Sequence, residues 1–517
     1  MITLPRFSKK WFYFPVVFLI FMVVLAFSAA QAQTTTTLPP AKLLHQVDLT
    51  ELGDPRDFFR ASAQFGDLNN DGVSNDFIRY SNSRRMQAIA YDGADSVELL
   101  WDTGPDQLDL PEPPNRYFYK YTIWDVDSDG RSEVIGPFAT AEGNIELRVL
   151  DGATGNVKQR IDTDMPNPTS SDTIEEWRIY VTIANVRGLD QPRDIVLLTE
   201  FNSRGDIFVY DDQLELLWDT TADNDTKSAI YGHYAWNGDI DGDGKDEIIG
   251  NWVFDDDGTK LWRMTPDEWE ERDISYDHID RAFIGDFDPA NEGTEILISY
   301  EYLFARMYSN TGEILWNQGD SDENNADQAD SKITAVGDFT TESEGIEILV
   351  QQFPTENGED GKTIFDANGN PVKVVTSFSD GFHMDWDGDR STDEMFNPRN
   401  GTVIDPWNDA SITIGTNYQE DRNTRTQTGM RIYGYALDMV GDYREEVVII
   451  DEDELMIYGA ANLPPADHPS PWSDPRYGVA VANSASDNHP ERPWFDIRSL
   501  PQGPDNNYIW LPLVIRE

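Results

Sequence analysis

Gly238-Asp239-Ile240-Asp241-Gly242-Asp243-Gly244-Lys245-Asp246-Glu247-Ile248-Ile249 carries the pattern that organises the whole chain. Carboxylates stand at alternate positions, glycines break the run, and an apolar pair follows a late acid. Trp124 to Ile135 (WDVDSDGRSEVI) and Gly66 to Ile78 (GDLNNDGVSNDFI) repeat it well. Weaker copies are Gly285 to Leu297 (GDFDPANEGTEIL), Gly337 to Leu349 (GDFTTESEGIEIL), Met384 to Phe396 (MDWDGDRSTDEMF) and Leu437 to Val448 (LDMVGDYREEVV). Asn185 to Leu197 (NVRGLDQPRDIVL) keeps the register with few acids. The copies start near Asp67, Asp125, Asn185, Asp239, Asp286, Asp338, Asp385 and Asp438, a spacing of about 50 residues.

A second motif follows the first. It is an apolar pair, a turn of Asp, Gly or Asn, and often Leu-Trp. Val209 to Trp218 (VYDDQLELLW), Val253 to Trp262 (VFDDDGTKLW) and Met307 to Trp316 (MYSNTGEILW) show it clearly. Motif one reads as strand, loop, strand, and motif two as a hairpin. Four short strands per repeat is the size of a propeller blade, so the fold is predicted to be all-β, an eight-bladed β-propeller with calcium-binding loops. Two smaller sandwiches are the alternative, and the regular spacing favours the ring. Leu43 to Leu49 and Arg476 to Ser484 are both open as the segment that completes one blade.

The acidic loops predict calcium. Alternate carboxylates in a tight turn converge on one centre, and a late glutamate closes a shell of hard oxygen donors. Asp239, Asp241, Asp243 and Glu247 form the best set, and Asp125, Asp127, Asp129 and Glu133 repeat it. Asp67, Asn69 and Asp71, with Asp76, make a third, and Asp385, Asp387 and Asp389 a fourth. The competing reading of each is an acidic surface turn without metal.

The chain has 517 residues, 95 acidic against 39 basic, for a net charge of −56 and no cysteine. That balance argues against nucleic acid and anionic membrane surfaces as partners. Absence of cysteine excludes disulfides, thiolate metal sites and a cysteine nucleophile. At the start, Arg6, Lys9 and Lys10 precede an apolar run from Trp11 to Ser28 and an Ala-x-Ala site at Ala30–Ala32. Residues 1–32 therefore read as a secretory signal peptide, with an uncleaved anchor as the alternative. Residues 33–42 read as an exposed spacer, 43–490 as the propeller and 491–517 as a C-terminal tail in which Tyr508 to Ile515 could dock as a strand. A secreted or extracellular monomer without a further membrane span is expected.

His233, His278 and His383 each stand just ahead of an acidic loop, at the start of what should be an innermost strand. One channel mouth could gather them, with Arg281 nearby, and histidine is a serviceable general base near neutral pH. Taken singly, each reads as a packing or turn residue before a catalytic one, and it is the three equivalent places together that point to a site. Trp236, Trp252 and Trp386 read either as stacking faces for sugars or as core. No serine-hydrolase, phosphate-loop, zinc-protease or dinucleotide motif is present.

Asp438 to Ile449 (DMVGDYREEVVI), Leu455 to Tyr458 (LMIY) and Asp474 to Pro490 (DPRYGVAVANSASDNHP) resemble the C-terminal part of family 11 rhamnogalacturonan lyases. Ile183 to Trp218, His278 to Ile296 and Asp385 to Asp389 share the likeness, which spans roughly residues 60–490. The resemblance implies an eight-bladed propeller, calcium, and β-elimination of an acidic, pectin-type polysaccharide. The resemblance itself hands over no catalytic base; the candidates for base or uronate contacts are the residues read from position, His278, His233 and His383, with Arg281. The chain departs from the family in two places. The small β domain that often precedes the propeller is not seen, and Gln427 to Tyr435 (QTGMRIYGY) stands where the family has an Asn-Gly-Thr-Lys stretch. The calcium-type loops occur also in integrin-like (FG-GAP) propellers. A non-catalytic propeller binding glycans or proteins at the cell surface is therefore the alternative function.

Overall fold

The computed structural model describes residues 38–58, 61–81, 85–104, 116–139, 144–166, 176–201, 204–221, 234–264, 279–300, 305–318, 330–353, 361–375, 381–398, 400–415, 433–462, 468–484 and 492–500. The predicted signal peptide, the first half of the predicted spacer, His233, His278 and the Tyr508–Ile515 stretch lie outside them. Among the described residues, eight sheets follow one another along the chain, seven of four strands and one of five, all antiparallel but for one added strand. Their first strands stand side by side, as blades around a ring require. Motif one supplies the first two strands of a blade. In the fourth, Trp236–Gly238 pairs with Glu247–Ile249. Motif two supplies the last two, here Trp252–Phe254 and Lys260–Arg263. The fifth strand of the third blade, Arg116–Lys120, runs parallel to Glu176–Ala184 and has no signal in the repeat.

Of the two segments left open for ring closure, the first completes a blade. Ala41–Asp48 is the outer strand of the eighth sheet, antiparallel to Glu454–Ala460. The second does something else. Pro475–Ala482 is a helix, α1, whose N-terminal Asp474 side chain accepts from the Arg476 N–H and whose first residue is proline. It packs on the first strands of the first three blades. Thr122 Oγ1 donates to the Ala482 carbonyl at 2.8 Å, and Gln64 Nε2 to that of Ser484 at 3.0 Å. Asn483 closes a two-way pair with the Ile183 backbone at 2.8 Å each way. Further on, Arg492 donates to the carbonyls of His383 at 2.8 Å and Ala436 at 2.9 Å. It also forms a buried ion pair with Glu445. Residues 471–484 and 492–500 thus form a hub that ties innermost strands from opposite parts of the chain.

Blade-to-blade packing explains the Leu-Trp of motif two. Trp101, Trp218, Trp262 and Trp316 each lie on the turn glycine of the following blade: Gly155, Gly258, Gly312 and Gly369. A Cβ at those glycines would come within 2.5–2.8 Å of the indole, and all four have positive φ, so both geometry and space require glycine. Trp101, Trp218 and Trp316 also donate their indole N–H to the same turns, at 2.7, 2.8 and 3.0 Å. The second blade has Gln159 at the tryptophan position, and its amide donates to the Asp212 carbonyl of the next turn at 3.0 Å. Apolar side chains of neighbouring sheets fill the space between, with Ile249, Ile296 and Ile298 in one such cluster.

Candidate metal loops and the central cavity

Each acidic loop is built around its late acid. One carboxylate oxygen accepts backbone N–H groups from the start of its own loop. Glu247 Oε2 takes Ile240 N at 2.6 Å and Asp241 N at 3.2 Å. Glu295 takes Phe287 and Asp288, Glu347 takes Phe339 and Thr340, and Glu446 takes Met439 and Val440. Asp76, Glu133, Asp194 and Glu394 do the same with Leu68 and Asn69, Val126, Arg187 and Trp386. The late acid is therefore a structural clasp in every blade, whatever else it does.

The other oxygen differs from blade to blade. In the first it accepts Tyr91 N at 3.0 Å, in the second Lys158 Nζ at 2.7 Å, and in the third Arg187 Nε at 2.6 Å. In the fifth it takes Asn291 Nδ2 at 2.5 Å, and in the sixth the Ser343 hydroxyl. In the fourth blade, Glu247 Oε1 is buried and has no hydrogen-bond partner. Asp239, Asp241 and Glu247 bring one oxygen each within 4.8 Å of one another, and Lys245 turns away to Asp256 at 2.7 Å. A buried oxygen with no donor, facing two more carboxylates, fits a hard cation such as calcium. Asp243 is not part of this triad. Its Oδ1 accepts the Lys245 N–H at 2.9 Å.

The seventh blade fits as well. Asp385, Asp387 and Asp389 converge within the same limit, and Asp385 Oδ2 is buried without a partner. Burial, with the charges of Asp387, Glu445 and Asp389, pushes the Asp385 carboxyl up to about 8. Burial, with the charge of Asp389, takes Asp387 to about 6. Burial, with Asp241 and Asp239 adding to it, takes Glu247 to about 7. These are the shifts expected of like charges held together in a poorly solvated place.

Two sequence-predicted sets behave differently. Asp125, Asp127 and Glu133 converge, but the Lys158 ammonium stands among them. Asp67, Asp71 and Asp76 do not converge in this way. Asp67 accepts the N–H groups of Asp71 and Gly72, and Asn69 donates to Asp71 at 3.0 Å.

Of the predicted catalytic residues, two lie among the described ones. His383 is buried, with its ring 4.9 Å from that of Trp494. Burial, helped by the nearby Arg492 charge, drives its imidazole well below the ordinary value and keeps it neutral. Arg281 is 2% exposed and donates to the Thr334 carbonyl at 2.9 Å. Neither side chain is presented to an open mouth. Radial depth decides this, and the sequence pattern does not report it.

A cavity of about 390 Å³ lies between α1 and the first strands of the fourth and fifth blades. Trp236, Asn237, Asp239, Asp246, Arg476 and Trp494 are among the residues that line it. Asp239 thus borders both the cavity and the carboxylate triad. Trp494 and Arg476 come from the hub, and sequence reasoning did not connect them with Trp236. Trp386 is core, with its N–H donated to the Pro39 carbonyl at 3.1 Å. Trp252 lies under the Lys260 ammonium, 4.8 Å from the ring centroid.

Residues 139–499 match the family described as "Rhamnogalacturonan lyase family 11, C-terminal domain". The chain belongs to this family. It is 24% identical over 515 residues to the rhamnogalacturonan exolyase YesX of Bacillus subtilis, covering 86% of this chain and 79% of the relative. The rhamnogalacturonan endolyase YesW of the same organism is 24% identical over 507 residues, covering 86% and 75%. Among solved structures, a rhamnogalacturonan lyase of Bacillus licheniformis superposes with a TM-score of 0.63 at 20% identity, over 85% of this chain and 79% of that one. The superposition agrees with the eight-bladed propeller of this family 11 chain.

Proposed function

We propose that this family 11 chain is a calcium-assisted polysaccharide lyase that cleaves an acidic, pectin-type rhamnogalacturonan by β-elimination, outside the cell and as a monomer. The observation that carries this reading is the family match, which runs through both the Asp239–Asp241–Glu247 loop and the hub. Both named relatives are rhamnogalacturonan lyases, one an exolyase and one an endolyase. Elimination needs the proton at C5 of a uronate to be acidic, and a bound cation supplies the positive charge that neutralises the neighbouring carboxylate. With 95 acidic residues, the protein repels a polyanion unless such a charge mediates the contact. Asp239, Asp241 and Glu247 would hold that cation, with Asp385, Asp387 and Asp389 as a second set. The adjoining cavity offers the faces of Trp236 and Trp494 and the amide of Asn237 to a sugar ring. His278 and His233, with His383 and Arg281, are the proposed base or uronate contacts.

The test is ultraviolet absorbance during incubation with rhamnogalacturonan I, in calcium and in chelator. A calcium-dependent rise reports unsaturated uronate and supports the lyase. A flat trace from folded, calcium-loaded protein overturns it. The burial of His383 and Arg281 favours the second reading, a propeller that binds glycans without cutting them. A flat trace together with retention on immobilised rhamnogalacturonan would select that reading.

A further inference from the structure

The second blade carries the best-spaced acidic loop after the fourth, yet its carboxylates already surround a cation of the protein's own. Lys158 Nζ lies 2.7 Å from Asp127 Oδ2, 2.7 Å from Glu133 Oε1 and 3.2 Å from Asp129 Oδ2. Glu133 is fully buried, and Lys158 meets the oxygen that its fourth-blade counterpart, Glu247, leaves without a donor.

The internal repeat shows that this lysine is a substitution at a defined place. In seven blades the outer strand skips one residue against its neighbour. Val157 pairs with Leu150 and Gln159 with Val149, so Lys158 is the bulged residue of the second blade. The same register shift falls on Leu44, Leu100, Leu217, Leu261, Leu315 and Val372 in the other six. Six bulges therefore carry an aliphatic side chain, and the one that carries an amine faces an intact acidic triad. The third blade reaches a similar end with a different residue: Arg187, from the loop itself, pairs with Asp194 at 2.6 Å and Asp212 at 2.5 Å.

We propose that Lys158 is a resident counter-cation that occupies the would-be metal position of the second blade, so that this loop is folded and partly charge-compensated without calcium while the fourth-blade loop is not. An ammonium held by three carboxylates and a calcium ion compete for the same oxygens, and the covalently tethered one does not dilute away. The inference concerns the fold and stands whether or not the protein is a lyase.

Calcium bound per chain, measured on the full-length protein by equilibrium dialysis and elemental analysis with calcium alone as the probe, tests it. Asp127→Asn should bind as much calcium as the wild type, whereas Asp241→Asn should lose about one ion. Lys158→Met should gain about one ion over the wild type, and its melting temperature should become more sensitive to chelator. Lys158→Arg, which keeps the charge, should gain none. Loss of an ion in Asp127→Asn would show that the second loop holds calcium despite the lysine and would overturn the proposal. So would a folded Lys158→Met that gains none. If Lys158→Met does not fold, the Asp127→Asn count alone decides.

Discussion

Asn185 and Asp246 exchange two hydrogen bonds across the boundary between the third and fourth blades. Asn185 N donates to Asp246 Oδ2 at 2.8 Å, and Asp246 N donates to the Asn185 carbonyl at 3.1 Å. Asp338 with Asp393 and Asp385 with Glu445 repeat the exchange at the next-to-last and last boundaries. In the fourth, seventh and eighth blades the acid just before the late glutamate is thus a link between blades, while the glutamate itself clasps its own loop.

Asp246→Ala should therefore destabilise the protein without touching the cation triad. Loss of the acceptor leaves the half-buried Asn185 N–H unpaired, at about 1–3 kcal/mol. Chemical unfolding should show that loss, with the calcium content unchanged.

Arg492 is the second sensitive point. It is buried, pairs with buried Glu445 and holds two backbone carbonyls. Removing one partner of such a pair strands the other charge, and Arg492→Met should cost about 3–5 kcal/mol. The double variant Arg492→Met with Glu445→Gln should recover part of it in the same unfolding assay.

Calcium removal should make stability depend on pH in a defined direction. Burial and neighbouring charges raise Glu247 to about 7 and Asp385 to about 8. A carboxyl raised on folding favours the folded state when protonated, and that contribution is lost as pH rises through the raised value. In chelator the melting temperature should thus fall as pH rises from about 4 to about 8 and level off above that. A bound cation favours the ionised form instead, so calcium should reverse or flatten the trend and bind more weakly as pH falls towards 6. A melting temperature indifferent to pH in chelator would contradict this.

Gly258→Ala checks the blade contact. Its φ is +83° and a Cβ would meet the Trp218 ring at 2.8 Å. Backbone strain and the clash together should cost about 1–3 kcal/mol. Ala at Gly242, which also has positive φ but faces open space, isolates the backbone part.

Blade number and strand order were legible because the repeat states them eight times, and an error in one copy is corrected by the others. Glycine and tryptophan in motif two were visible as a pattern, though their pairing across blades was not, since it joins residues about 40–55 positions apart. Lys158 was not legible as a cation for its loop, because it lies in the hairpin after that loop and only the bulge register aims it back. Arg476 to Ser484 alternates enough to pass for a strand, yet Asp474 and Pro475 start a helix there. Depth was the least legible quantity. His383 and Arg281 sit where an innermost strand begins, as expected, but the hub covers the one and the neighbouring blade takes the other.

The pairing of Ala41–Asp48 with Glu454–Ala460 sets an order of events. The eighth sheet joins residues some 400 positions apart, and the Gln46–Glu454 contact spans 408. During synthesis the first strand must wait, unpaired, until almost every other blade has been made. Loop closure over such a span is entropically slow, so sealing the ring belongs to the end of folding. Deleting Ala41–Asp48 or deleting Glu454–Ala460 should then yield a like lesion, an open ring with an exposed sheet edge prone to pair with another molecule.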